Sequence, residues 1–152
     1  MTARRARNDQ GAAAVEFALV VIPVFAVLFG LIQYGMYFYS AQTGSNTVNA
    51  AARQLSVGNC RATADLQAYV DNQLGAAATG TATVTRAYTN PDGTPPASPA
   101  PANVQIGGTV KLTLTFNTIN MHFPFVPFLS NAQITRQVEA RVEDTTDHGC
   151  GS

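Results

Sequence analysis

The sequence contains no tryptophan, and it has only two cysteines and two histidines among its 152 residues. Charged side chains make up 12% of the chain, and nine basic residues balance nine acidic ones. Because the basic residues form no stripe beyond the N-terminal leader, nucleic-acid binding is not expected. The sequence also lacks a phosphate-binding glycine loop, a nucleophile elbow and a convincing carboxylate pair, so we expect neither an enzyme nor a cofactor.

Charge is most conspicuously missing between Phe17 and Ala52, where there is no Asp, Glu, Lys or Arg. Within that gap, Phe17–Tyr39 is almost entirely apolar, and about 20 such residues suffice to cross a bilayer. The basic leader before it contains three arginines, and the positive-inside rule keeps that end in the cytoplasm. The pattern predicts a single-pass membrane protein with an exported C-terminal part.

Glu16 is an acid at the N-terminal end of this apolar segment, five residues after Gly11. A charge in that place is costly in lipid, which indicates a function. The run from Gly11 and Ala12 to Glu16 and Phe17 resembles the processing site of type IV prepilins, most closely the TadE-like pseudopilins of tight-adherence (type IVc) pilus systems. Pro23, early in the helix, is also similar to that family. The major pilins typically have tyrosine after the glutamate, so Phe17 is closer to a minor pseudopilin.

This resemblance covers about a third of the chain, roughly residues 8–56. It implies that a prepilin peptidase removes residues 1–11 and leaves a new amine on Ala12. It also implies that Glu16 of an incoming subunit neutralises that amine on a neighbour, and that Pro23 belongs to the assembly helix. The implied partners are the peptidase, other pilins or pseudopilins, the inner-membrane assembly platform and the lipid bilayer.

By the same resemblance, the protein is a minor pilin-like subunit that primes, caps or regulates a thin adhesive pilus. It would lie in the bacterial inner membrane with its head in the periplasm, or outside the cell once assembled. Two alternatives stay open. The leader can be an uncleaved tail, with Glu16 favoured only by the helix dipole, in an anchored scaffold or binding module. The head can instead bind a ligand through its phenylalanine-rich loop.

Beyond the membrane segment, the hydrophobic period predicts a pilin-like α+β fold. The long helix continues as a stalk to Gly58, and Thr63 caps a short second helix that stops at Gly75. After Gly75, apolar and polar side chains alternate with a period of two residues, and this alternation predicts three antiparallel strands. The predicted regions are a leader at 1–11, a transmembrane helix at 12–39, a stalk at 40–59 and a head at 60–152. The head contains a proline-rich loop at 90–103, which is either a plain linker or a recognition loop.

A second loop, residues 119–129, holds Phe123, Phe125 and Phe128 and is interrupted by Pro124 and Pro127. Because proline interrupts both helices and central strands, this loop either covers the core or stays exposed as a partner-binding patch.

The two cysteines, Cys60 and Cys150, both fall on the oxidising side of the predicted membrane topology. We expect a disulfide between them, closing a loop of about 90 residues and stabilising the fold by at most about 4–5 kcal/mol. Free or intermolecular thiols are the alternative. A metal site built from Cys150, His148 and His122 is not expected, because these residues lack the spacing of a zinc site.

Overall fold

A computed structural model describes residues 9–97, 103–121, 123, 132–147 and 149 of the chain. Contacts divide the chain into two compact units. One unit contains Met1–Gly35 and Asn120–Ser130, and the other contains Met36–Ile119 and Asn131–Ser152. The first helix contributes to both units.

Helix α1 runs without interruption from Asp9 to Ser56, a length of 48 residues that includes Pro23. Its first half is rich in apolar residues, and its second half alternates small and polar side chains, neither of which breaks a helix. The chain turns sharply after Ser56, and Gly58 adopts a φ of +84°. The predicted stop at Gly58 is thus confirmed, because a left-handed residue ends the helical path.

Helix α2 covers Thr63–Leu74 and buries Leu66, Val70 and Leu74 on one face. The cap position belongs to Ala62, which makes no side-chain capping bond, so the prediction of Thr63 as the cap was wrong by one residue. The Thr63 hydroxyl instead accepts a hydrogen bond from Arg86 Nη2 at 3.0 Å. Gly75, with a φ of +46°, is the C-cap of α2, as predicted.

The three predicted strands are present as β1 (Thr79–Thr89), β2 (Thr109–Asn117) and β3 (Gln133–Arg141). They form one antiparallel sheet in the order β1-β2-β3. The α+β prediction is confirmed. Every second residue of β2 is buried, and the buried residues are Val110, Leu112, Leu114 and Phe116.

The second half of α1 packs its apolar face into the core of its unit. The buried positions on that face are those expected from the spacing, namely Val48, Ala51, Ala52 and Leu55. Gly44 lies on the same half of the helix, where the Phe116 ring covers it. A Cβ added at Gly44 would come within 2.5 Å of Phe116 Cε1. The absence of a side chain therefore allows the sheet to approach the helix closely.

A hydroxyl chain joins α1 to the sheet within the same unit. The buried Ser40 hydroxyl donates to the Ala77 carbonyl at 2.7 Å, and the Thr118 hydroxyl donates to Ser40 Oγ at 2.6 Å. Polar groups in a core are tolerated when they are paired in this way.

The chain after β3 packs against the end of α1. The backbone N–H groups of Glu143 and Asp144 both donate to the Ser56 carbonyl, at 2.7 and 3.1 Å. The backbone of Thr146 lies directly over Gly58, in the space that a Cβ at Gly58 would need. Further along, Cys60 N–H donates to the Gly149 carbonyl at 2.9 Å.

The proline-rich loop between β1 and β2 begins with a tight turn. Asn90 N–H donates to the Thr94 carbonyl at 2.8 Å, and Gly93 N–H donates to Asn90 at 2.9 Å. The Asp92 carboxylate accepts both the backbone N–H and the hydroxyl of Thr94, and these bonds lower the pKa of Asp92. Residues 98–102 of the loop lie outside the described part of the chain.

Candidate assembly helix and the loop that contacts it

The predicted processing site lies at the beginning of α1. Gly11 is exposed in the opening turns of the helix, and nothing approaches the place where its side chain would be. Helix ends fray easily because their backbone groups lack intrahelical partners. The Gly11–Ala12 bond is therefore accessible, while residues 1–8 of the predicted leader lie outside the described residues.

Glu16 and Phe17 are both exposed on α1, and the Phe17 side chain is 70% exposed. Ala12 and Glu16 are four residues apart on one helix, so they occupy the same face on successive turns. An amine formed on Ala12 would thus lie within one turn of the Glu16 carboxylate. The spacing permits charge pairing within a subunit.

The first half of α1 presents an apolar surface with little protein over it. It is the one helix, among the residues that the structure describes, that is long and apolar enough to cross a membrane. Pro23 is exposed, and Gly30 and Gly35 have open space where a side chain would be. Large apolar side chains between 41% and 70% exposed include Val15, Phe17, Leu19, Val20, Ile22, Val24, Phe25, Val27, Leu28, Leu31, Ile32, Phe38 and Tyr39.

Gln33 is the exception on this surface, because its side chain is only 2% exposed. Its Oε1 accepts a hydrogen bond from the backbone N–H of Met121 at 3.0 Å. The two residues belong to the same compact unit. The loop after β2 therefore returns to the apolar half of α1 and covers Gln33. Among the described residues of that half, Gln33 is the one buried polar side chain.

Phe123 makes the second contact between this loop and α1. Its ring stacks on Phe29 with centroids 4.7 Å apart and planes 10° apart, and Phe29 stacks in turn on Phe25 at 5.6 Å. Phe123 is half-buried as a result. Of the other residues of the predicted partner patch, Phe125 and Phe128 lie outside the described residues, so the choice between core cover and partner contact stays a prediction for them.

Cys60 is disulfide-bonded. Cys150 lies outside the described residues, as do His122 and His148, so the Cys60–Cys150 pairing stays a prediction. Cys60 has a φ of +56°, and it is the one non-glycine residue with a positive φ in the part of the chain that the structure describes.

A groove of about 490 Å³ lies between α2, β1 and the start of the proline-rich loop. The Tyr88 hydroxyl is buried there, and no described residue forms a hydrogen bond with it. Burial raises the pKa of Tyr88, and the positive charges of Arg86 and Arg61, with a weak polar contact from the Arg86 side chain to the hydroxyl, oppose that change. The lining residues are Thr63, Leu66, Val84, Thr85, Arg86, Ala87, Tyr88, Pro95 and Pro96.

Comparison with known proteins gives one finding on the apolar half of α1. Residues 11–53 match the family model described as TadE-like protein. This segment is TadE-like. The matched residues begin at the glycine of the predicted processing site and end within the last turn of α1. The resemblance predicted from the sequence is therefore confirmed over these residues.

The comparison gives no information on the head beyond the TadE-like segment. No curated protein matches the chain, and no solved structure matches it. The sheet and α2 must therefore be interpreted from their own residues.

Sequence reasoning missed the role of Gln33, a polar residue within the apolar run. The signal was present, because a polar side chain in a membrane-length segment needs a partner. Its partner is a backbone group far along the chain, and no local pattern identifies such a contact.

Proposed function

We propose that the protein is a minor pilin-like subunit of a tight-adherence pilus, cleaved by a prepilin peptidase between Gly11 and Ala12. The observation that supports this most directly is the coincidence of three features at one place. The TadE-like match begins at Gly11, the long helix begins two residues earlier at Asp9, and both residues of the bond to be cut are exposed.

The exposed surface of α1 supports a role in assembly. Apolar side chains along Val15–Tyr39 are covered by lipid while the subunit is in the membrane, since a spanning helix needs no protein cover there. After extraction, the same surface needs other apolar helices around it, because exposed apolar area in water is unfavourable. Packing among pilins or pseudopilins supplies that cover.

Glu16 is suited to the transition between these two states. Leader removal places a positive amine on Ala12, and an unpaired charge is costly in an apolar helix bundle. The Glu16 carboxylate neutralises the amine of a neighbouring subunit during assembly. The wild-type arrangement therefore favours correctly registered subunits, and a subunit without the acid leaves a charge unpaired.

The proposal assigns the protein to the bacterial inner membrane before assembly, with a cytoplasmic N-terminus and a periplasmic head. Its partners are the peptidase, sibling pilins or pseudopilins, and the inner-membrane assembly platform. In the assembled state it primes the fibre or forms its tip, where it contributes to adhesion. The exported position of the head is compatible with the disulfide at Cys60.

The decisive test is the intact mass of the protein extracted from membranes of cells that contain or lack the peptidase. We expect a mass that lacks residues 1–11 only when the peptidase is present. Gly11→Ala should abolish that loss, and Gly30→Ala, at an equally open helical glycine, should leave it unchanged. A full-length mass in both strains would rule out the pilin route.

The alternative function is an anchored single-pass scaffold or binding module that never leaves the membrane. The exposed apolar half of α1 fits a permanent anchor equally well, since lipid alone covers it. The two functions differ in the fate of the cleaved chain. Recovery of the mature protein in sheared extracellular fibres supports the pilin role, and retention of all of it in the membrane supports the anchor.

A further inference from the structure

We propose that the loop residues Asn120, Met121 and Phe123 lie in the lipid–water boundary on the C-terminal side of the spanning helix. The hydrocarbon core then ends between Phe29 and Gln33, and not at Tyr39. The partner of this surface is the lipid bilayer itself. These three residues are called the boundary loop below.

The first argument is the pairing of Gln33. Its side chain is buried and accepts the Met121 N–H at 3.0 Å. Irregular backbone facing lipid is not tolerated inside the hydrocarbon core, because its polar groups have no water to bond. The interfacial region has water and headgroups, so a loop can lie there. The contact between Gln33 and Met121 therefore marks a depth at which both polar groups are tolerated.

The second argument is length. At about 1.5 Å per residue, the helix from Ala12 to Ile32 is roughly 31 Å long, which matches the ~30 Å hydrocarbon core of a bilayer. If the core ended at Tyr39, Phe29 would lie about 15 Å below that boundary along the helix axis. Phe123 stacks on Phe29 and would then lie near the middle of the bilayer. A boundary near Gln33 removes this conflict.

The third argument is composition. No Asp, Glu, Lys or Arg occurs between Lys111 and Arg136, a stretch that contains the whole loop. A stretch without acidic, lysine or arginine side chains is suited to the acyl-chain edge, because each such charge is costly there.

The fourth argument selects lipid as the occupant over a second protein. The boundary loop continues the exposed apolar surface of the helix proposed to span the bilayer, because Phe123 stacks on Phe29 and Phe29 on Phe25, which is 47% exposed. Met121 is 43% exposed beside the same helix. Tyrosine rings at the end of a spanning helix are typical of the membrane interface, and Tyr34 directly follows Gln33 in the sequence.

The test uses tryptophan fluorescence, for which the chain is well suited because it contains no tryptophan. Full-length Met121→Trp is reconstituted at low protein density in phosphatidylethanolamine–phosphatidylglycerol vesicles. Separate vesicles contain lipids with a quencher at a shallow or a deep acyl position, and iodide is the aqueous quencher. Leu19→Trp is the reference for a position inside the hydrocarbon core. Tyr39→Trp, ten residues after Phe29, is the reference for a position outside that core.

We expect shallow lipid quenchers to reduce the emission of Met121→Trp more than deep ones, with little effect of iodide. Leu19→Trp should respond most to the deep quencher, and Tyr39→Trp should lose lipid quenching and respond to iodide. Phe123→Trp preserves an aromatic ring on Phe29 and should repeat the Met121→Trp result. Circular dichroism confirms that each variant is folded.

Two results would overturn the proposal. One is Met121→Trp and Phe123→Trp both quenched by iodide and by neither lipid, which would place the loop in water. The other is Tyr39→Trp quenched by the shallow lipid while the loop variants respond to the deep one. The experiment requires no cleavage or pilus, so it stands apart from the test of the proposed function.

Discussion

The side-chain oxygen of Gln33 accepts the backbone N–H of Met121, and the two residues are 88 positions apart in the sequence. This bond attaches a loop of the C-terminal region to the helix that carries the TadE-like match. Assembly of that helix with other subunits would have to accommodate the loop or displace it.

Gln33→Leu is expected to detach the loop from α1. Leucine suits the apolar surroundings, but it leaves the Met121 N–H without its acceptor, at a cost of about 1–3 kcal/mol. Amide hydrogen exchange at Met121, measured in vesicles, should accelerate. Gln42→Leu makes the same chemical change at an exposed position of α1 and should leave that exchange unchanged. Unchanged exchange in Gln33→Leu would show that the bond does not hold the loop.

Gly44→Ala is expected to destabilise the head. The new methyl group would collide with the buried Phe116 ring, at a typical cost of about 1–3 kcal/mol. Alanine also improves helix propensity by up to about 1 kcal/mol, which offsets part of that cost. Thermal unfolding in detergent should show a lower Tm for Gly44→Ala, while Gly35→Ala, in open space, should not. Combining Gly44→Ala with Phe116→Leu should recover part of the loss.

Tyr88 is expected to make the fold sensitive to alkaline pH. Burial raises the pKa of its hydroxyl in the folded state above the unfolded value of about 10. The resulting stability is fully present below pH ~10 and is lost as pH rises through the folded-state pKa. Tyr88→Phe should therefore lose less stability between neutral and alkaline pH than the wild type.

At neutral pH, Tyr88→Phe should change stability little, because the hydroxyl has no well-formed hydrogen bond and only the Arg86 side chain interacts with it. Chemical denaturation at several pH values measures both effects. Tyr69→Phe, at a half-buried position of α2, is the control for loss of a tyrosine hydroxyl. A large loss of stability in Tyr88→Phe at neutral pH would reveal a hydrogen bond to that hydroxyl.

Cys60→Ser is expected to lower stability by about 2–5 kcal/mol, as is typical when a native disulfide is removed. Thermal unfolding with and without a reductant should differ for the wild type and coincide for the variant. If the predicted pairing is right, Cys150→Ser reproduces the same loss, and tryptic peptides containing the two cysteines are linked before reduction. A full effect of Cys60→Ser with none from Cys150→Ser would contradict the pairing.

Local patterns predicted the elements of this fold well. The 3.6-residue period found both helices, and the two-residue alternation of apolar and polar side chains found the three strands. The Gly11–Phe17 run identified the TadE-like segment, because order, spacing and charge all contribute to that signal.

Contacts between distant residues could not be predicted in the same way. Gly44 weakens a helix by propensity alone, and only the position of Phe116 explains its presence. The cap of α2 was misplaced by one residue, and the Thr63 hydroxyl bonds Arg86 across the fold instead of capping the helix. The strand order, like the bond between Gln33 and Met121, depends on tertiary packing that a single sequence does not encode locally.

The bonds from Glu143 and Asp144 to the Ser56 carbonyl have a mechanical consequence. Along the covalent chain, tension in α1 would reach β3 only after passing through α2, β1 and β2. The two bonds offer a shorter route, from the last residue of α1 directly to the residues that follow β3. In a fibre under load, the far edge of the sheet would share the tension from the outset, and unravelling from β1 alone would be resisted.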